Sequence, residues 1–150
     1  MQGGCGLEMY DDLSLDRRYV MLGPQRKILV VDEDEQIAYL LDYLLSREGF
    51  QVTTVTNQDQ ANKLIHQTKP PQVVFMGDMV SYANNNSLIS YIRELQRWKQ
   101  VPIIIMAANY IKGDITQALD AGATDFIVQP FNSAELVAQI ERHSTRNALQ

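Results

Sequence analysis

From Lys27 onward, short runs of apolar and β-branched residues alternate with longer stretches in which apolar positions recur every three or four residues. The runs Lys27–Val31, Gln51–Val55, Gln72–Met76, Pro102–Met106 and Asp125–Val128 have the length of strands, and four of the five are almost wholly apolar. A strand with one solvated face would alternate apolar and polar residues, so unbroken apolar runs predict a parallel sheet covered on both faces. Helical spacing falls between the runs, at Ile37, Leu40, Leu41, Leu44 and Leu45, at Ala61, Leu64 and Ile65, and at Leu88, Ile89, Ile92 and Leu95. It returns at Ile115, Ala118 and Leu119, and after the fifth run at Leu136, Val137 and Ile140. Strand and helix alternate five times, which predicts an α/β fold of (βα)5 type with a doubly wound, five-stranded parallel sheet.

Local signals mark the ends of these elements. Asn132 followed by Glu135 has the spacing of a capping box, Asn57 stands ahead of the second helix, and Gly49 and Gly122 fall just past helix ends. Asp34 and Glu35 suit a solvated loop that starts a helix, where negative charge is favoured. Residues 27–146 form the expected domain, and residues 147–150 a tail. Residues 1–26 lie outside the alternation; Gly3, Gly4 and Gly6 loosen the start, whereas Leu13, Leu15, Tyr19, Val20, Met21 and Leu22 favour a partly ordered arm.

Composition narrows the function classes. A chain of 150 residues with 45% hydrophobic and 21% charged residues forms one ordinary folded domain. A net charge of -5 gives no general attraction to a nucleic-acid backbone, and no basic helix-turn-helix follows Arg146, so no nucleic-acid contact is expected from this chain. One cysteine, Cys5, cannot form an internal disulfide. No apolar run is long enough to span a bilayer, and Glu8, Asp11 and Asp12 stand where a signal peptide would be basic and then apolar; a cytoplasmic location without membrane contact is the expectation.

In an open α/β sheet the functional crevice lies beyond the carboxyl ends of the strands, which directs attention to the residues closing each run. The first run ends in Asp32-Glu33-Asp34-Glu35. Ile28-Leu29-Val30-Val31-Asp32-Glu33-Asp34 resembles the opening of response-regulator receiver domains, in which an apolar strand precedes an acidic pair that holds Mg2+. The resemblance continues through Pro71-Gln72-Val73-Val74-Phe75-Met76 and Val101-Pro102-Ile103-Ile104-Ile105-Met106. It ends in Ala121-Gly122-Ala123-Thr124-Asp125-Phe126-Ile127-Val128-Gln129-Pro130-Phe131, so that it covers about residues 26–145. It implies the strand order 2-1-3-4-5 and a cis peptide at Gln129-Pro130.

The departures from the family pattern bear on function. Where the resemblance implies a phospho-accepting aspartate stands Gly77; where it implies a hydroxyl, Ala107; where it implies a lysine before proline, Gln129. Glycine offers no nucleophilic carboxylate. Alanine cannot donate a hydrogen bond to a phosphoryl oxygen, and glutamine supplies no balancing cation. Losing one member of a facing aspartate–lysine pair would strand a charge at about 3–5 kcal/mol, whereas losing both leaves the pocket charge unchanged. Phe126 takes the place of the family's switch aromatic, lacks a hydroxyl and is read as core packing.

The resemblance therefore implies a degenerate pocket of Asp32, Glu33, Gly77, Asp78, Ala107, Phe126 and Gln129, with no catalytic residue and no resident cofactor. Asp32 and Glu33 alone make a weak or empty Mg2+ site. The expected activity is that of a phosphorylation-independent signalling module, not an enzyme, which binds a protein partner or itself. The family's usual face for this is the fourth helix, fifth strand and fifth helix, with Lys112, Asp114, Asp120, Glu135, Glu141 and Arg142 as contacts.

Three other readings stay open. Asp78 could replace the missing acceptor if a bulge turned it towards Asp32 and Glu33. The chain could be the regulatory domain of a longer transcription factor. A flavodoxin-like cofactor binder is disfavoured by the acidic run after the first strand, where a phosphate needs backbone donors and hydroxyls. His66 and His143 are expected at the surface, Asn84-Asn85-Asn86 in a polar turn, and Trp98 as either a lid on the core or a contact residue.

Overall fold

A computed structural model describes residues 26–77, 87–108 and 112–148. The elements in chain order are β1 (Lys27–Val31), α1 (Glu35–Arg47), β2 (Gln51–Val55), α2 (Gln58–Gln67), β3 (Val73–Gly77), α3 (Ser87–Glu94), β4 (Ile103–Ala107), α4 (Lys112–Ala121), β5 (Asp125–Val128) and α5 (Ser133–Ala148). The five strands form one sheet in the order β2-β1-β3-β4-β5, and all neighbouring pairs are parallel. Residues 1–25 of the arm, Asp78 and Asn84-Asn85-Asn86 lie outside the described residues.

The unbroken apolar runs have the expected cause. Every residue of β3 and β4 is buried, as is all of β1 after Lys27. Leu29, Val31, Val74, Met76, Ile103 and Ile105 pack with Ile65 of α2 and Ile89 and Ile92 of α3. Their neighbours Ile28, Val30, Val73, Phe75, Ile104 and Met106 face the other way, onto Leu41 and Leu45 of α1 and Leu136 and Ile140 of α5. Two hydrophobic layers thus sandwich the sheet.

Helix ends follow the local signals. The Asp34 carboxylate accepts from the backbone N–H groups of Gln36 and Ile37, and the Asn57 side-chain oxygen accepts from the Gln60 N–H. Asn132 and Glu135 form a reciprocal capping box at 2.9 and 3.0 Å. Gly49 and Gly122 have φ of 96° and 124°, in the region that a Cβ disfavours.

Four details differ from the sequence reading or resolve it. β3 and β4 sit one residue later than their apolar runs, because the register Gly77↔Met106 keeps Gly77 in the ladder. Leu40 is exposed beside Tyr39 and Tyr43, while Ala38, Leu41 and Leu45 carry the buried stripe of α1. Trp98 is a core residue, 1% exposed. His143, expected at the surface, is buried, with Nε2 3.0 Å from Asp125 Oδ2; it continues the inward stripe of Leu136 and Ile140. His66 is exposed and bonds the Tyr91 hydroxyl.

One arginine ties together the amino ends of β4 and β5. Arg93 donates to the carbonyls of Gly122, Val101 and Lys99 at 2.8, 2.7 and 3.0 Å and to Thr124 Oγ1 at 3.2 Å. Thr124 Oγ1 also accepts from the Ile103 N–H. Burial lowers the pKa of the Arg93 guanidinium from its ordinary value. Replacing Arg93 by Met keeps the stem but leaves carbonyls unpaired, so Arg93→Met is expected to lower unfolding free energy by about 2–3 kcal/mol in urea titrations. Lysine, which lacks the planar fork, should recover only part of the loss.

Candidate functional site at the carboxyl end of the sheet

The sheet order brings the ends of β1, β3, β4 and β5 side by side, and most of the residues singled out in sequence stand there. Asp32 follows β1 directly. Its N–H donates to the Val55 carbonyl at 3.1 Å, which extends the β1–β2 ladder by one residue. Asp32 as a residue is 9% exposed, and its Oδ1 accepts from the Asp34 N–H at 2.8 Å. That bond starts the turn into α1, so one loop positions Asp32 and caps the helix.

Gly77 closes β3 next to Asp32. A Cβ built on Gly77 would lie 2.7 Å from Asp32 Cγ and 2.8 and 2.9 Å from the two carboxylate oxygens. A Cβ is essentially never found that close to a non-bonded heavy atom, so the Asp32 carboxylate lies where a side chain at position 77 would begin and would have to shift to admit one. The sequence contained the two residues but not this packing, which depends on the β1–β3 register and on the Asp32 rotamer.

Ala107 ends β4 and is buried; its carbonyl accepts from the Gln129 N–H at 2.9 Å. Gln129 follows β5 and is half-buried, and the Gln129-Pro130 peptide is cis. Phe126 is half-buried and packs against the hydrophobic layer under α2, α3 and α4. Glu33 is exposed. Ala107 and Phe126 offer the crevice no polar side-chain atom.

No group of three His, Cys, Asp or Glu gathers among the described residues, and Gly77 brings no side-chain oxygen to complement Asp32.

The charges expected on the fourth-helix, fifth-strand and fifth-helix face are only partly available. Glu135 is used in the α5 capping box. Arg142 lies 3.4 Å from Asp125, with its side chain 59% exposed. Asp120 and Glu141 are exposed, and the side chains of Lys112 and Asp114 lie outside the described residues. No helix among the described residues is long and apolar enough to cross a membrane.

Known proteins share this arrangement. Residues 28–141 match the family model "Response regulator receiver domain". The chain is 38% identical over 116 residues to the transcriptional regulatory protein KdpE of Staphylococcus aureus, covering 77% of this chain and 48% of KdpE. It is 32% identical over 123 residues to the DNA-binding response regulator MtrA of Mycobacterium tuberculosis, covering 82% and 52%. The chain thus spans about half the length of these relatives.

Among solved structures, the receiver domain of the sensor histidine kinase PA1611 from Pseudomonas aeruginosa superposes with a TM-score of 0.72 at 27% identity, covering 80% of this chain and 98% of that one. NtrX from Brucella abortus gives 0.73 at 27% identity, covering 82% of this chain and 27% of that chain. With residues 28–141 matched and the strand order in agreement, this chain belongs to the response-regulator receiver domain family.

Proposed function

We propose that this receiver domain signals without accepting a phosphoryl group, as a protein-binding module and not as an enzyme. The observation that carries the reading is the packing of Asp32 against Gly77: the place of an acceptor side chain is filled by a neighbouring carboxylate. An acyl phosphate needs a carboxylate nucleophile with a cation and hydroxyl donors around the transferred group. Gly77, Ala107 and Gln129 supply none of these. The PA1611 receiver domain was solved with a magnesium ion in its active-site cleft; the thin donor set around Asp32 supports the opposite expectation for this chain.

Output without phosphate leaves surface contact as the means of signalling. Asp120, Glu141 and Arg142 on α4 and α5 are exposed and suit a partner or a second copy. A second, compatible reading is that the chain is the regulatory part of a longer transcription factor. It is favoured by the names of KdpE and MtrA and by the half-length coverage of both. In either case the setting is two-component signalling in the cytoplasm.

Incubation with a small phosphodonor and Mg2+, followed by intact-mass measurement, is expected to give no phosphoryl adduct. An adduct mapped to Asp78 would instead make the domain a working phosphorelay receiver.

The packing of Asp32 has its own test. Gly77→Ala should lower stability by about 1–3 kcal/mol through overpacking. In an Asp32→Ala background the same change should cost little, a non-additivity that a double-mutant cycle in urea measures directly. The triple change Gly77→Asp, Ala107→Thr and Gln129→Lys should give phosphate uptake only to the extent that the Asp32 carboxylate can turn aside.

The interaction face is tested by reversing charge at exposed positions. Asp120→Lys with Glu141→Lys should abolish self-association in sedimentation velocity, or partner capture where the partner is known, without changing the circular dichroism spectrum.

A further inference from the structure

A second pocket lies at the opposite end of the sheet from Asp32. β2 is an edge strand, and α2 ends at Gln67 with the Thr68 hydroxyl donating to the Leu64 carbonyl. Below that cap no described element covers the sheet face at the amino ends of β1 and β2, and Gln51 and Thr53 are exposed there among the described residues. The uncovered face opens into a pocket of about 270 Å3, floored by Leu29, Leu64, Pro71 and Trp98.

The charge of this pocket runs against that of the chain. Lys27 and Lys69 line it, and among the described residues no Asp or Glu does, in a protein of net charge -5. Neither lysine is in an ion pair among the described residues. Lys27 and Gln51 are direct neighbours in the β1–β2 register, so an ammonium and an amide stand together over the apolar floor. Trp98 adds a buried indole N–H that has no acceptor among the described residues.

We propose that this pocket binds a small carboxylate carrying a single ring. An apolar floor with a cationic rim selects an amphipathic anion, since either part alone would leave the other unused. The volume falls just below the usual range of about 300–1,000 Å3 for small-molecule sites, which suits one ring and not a nucleotide. Lysines act as point charges; the pocket has no arginine fork or helix N-terminus of the kind that gathers phosphate, which favours a carboxylate. The inference does not depend on the state of the Asp32 crevice.

Trp98 is the single tryptophan of the chain, so its emission and its indole N–H resonance report on this pocket alone. Titrating the full chain with 3-phenylpropanoate is expected to shift both signals saturably, with half-saturation at or below about 1 mM. The neutral amide 3-phenylpropanamide, and the exposed-site double variant Lys27→Gln with Lys69→Gln, should each bind at least about tenfold more weakly, equivalent to the loss of one favourable charge contact. Circular dichroism checks that the variant is folded. The absence of a saturable shift, equal binding of the amide, undiminished binding by the folded double variant, or equally effective competition by inorganic phosphate would each overturn the proposal.

Discussion

The structure depends on burying a parallel sheet from both sides. β3 and β4 have no solvated residue, and β1 has one, at its start. A strand so placed must find partners for all its backbone groups in adjacent strands and must carry apolar side chains on both faces. Polar residues are thereby driven to the strand ends, where the sheet stops and the loops begin. Asp32 stands one residue beyond β1 and Gln129 one residue beyond β5. The location of the crevice follows from where apolar character runs out.

Within that crevice, close packing has taken over from charge. A glycine at the tip of a central strand would leave a gap in an interior that tolerates few, and the neighbouring carboxylate fills it. The carboxylate is itself held, because the Asp34 N–H bonds one oxygen while the backbone of Asp32 extends the ladder to β2. The same loop then caps α1 through Asp34. The arrangement joins strand end, helix start and site into one rigid corner, which fits a domain read as acting through its shape.

The fold was legible in the sequence because apolar runs and helical spacing are local properties, and each strand and helix lies within a residue or two of its signal. Pairing decides the rest: Gly77 joins β3 because Met106 stands opposite it, not because of its own propensity. His143 was misplaced although its spacing from Leu136 and Ile140 puts it on the buried stripe; only its partner Asp125, brought near by the fold, makes that burial favourable. Gly77, Ala107 and Gln129 were identifiable from their positions after apolar runs. The filling of residue 77's space by Asp32, and the open face below α2, arise from rotamer and helix length, which no short pattern encodes.

The arginine beneath this framework fastens it in an unusual currency. Arg93 holds neutral carbonyls and a hydroxyl, with no carboxylate facing it among the described residues. Ion pairs weaken as dissolved salt rises and fail when an acid is protonated, whereas carbonyl oxygens neither titrate nor gather a counterion cloud. The acceptors through which Arg93 joins α3, β4 and β5 therefore keep their character as ionic strength and acidity change, whereas the Asp125 pairs with Arg142 and His143 at the start of β5 do not.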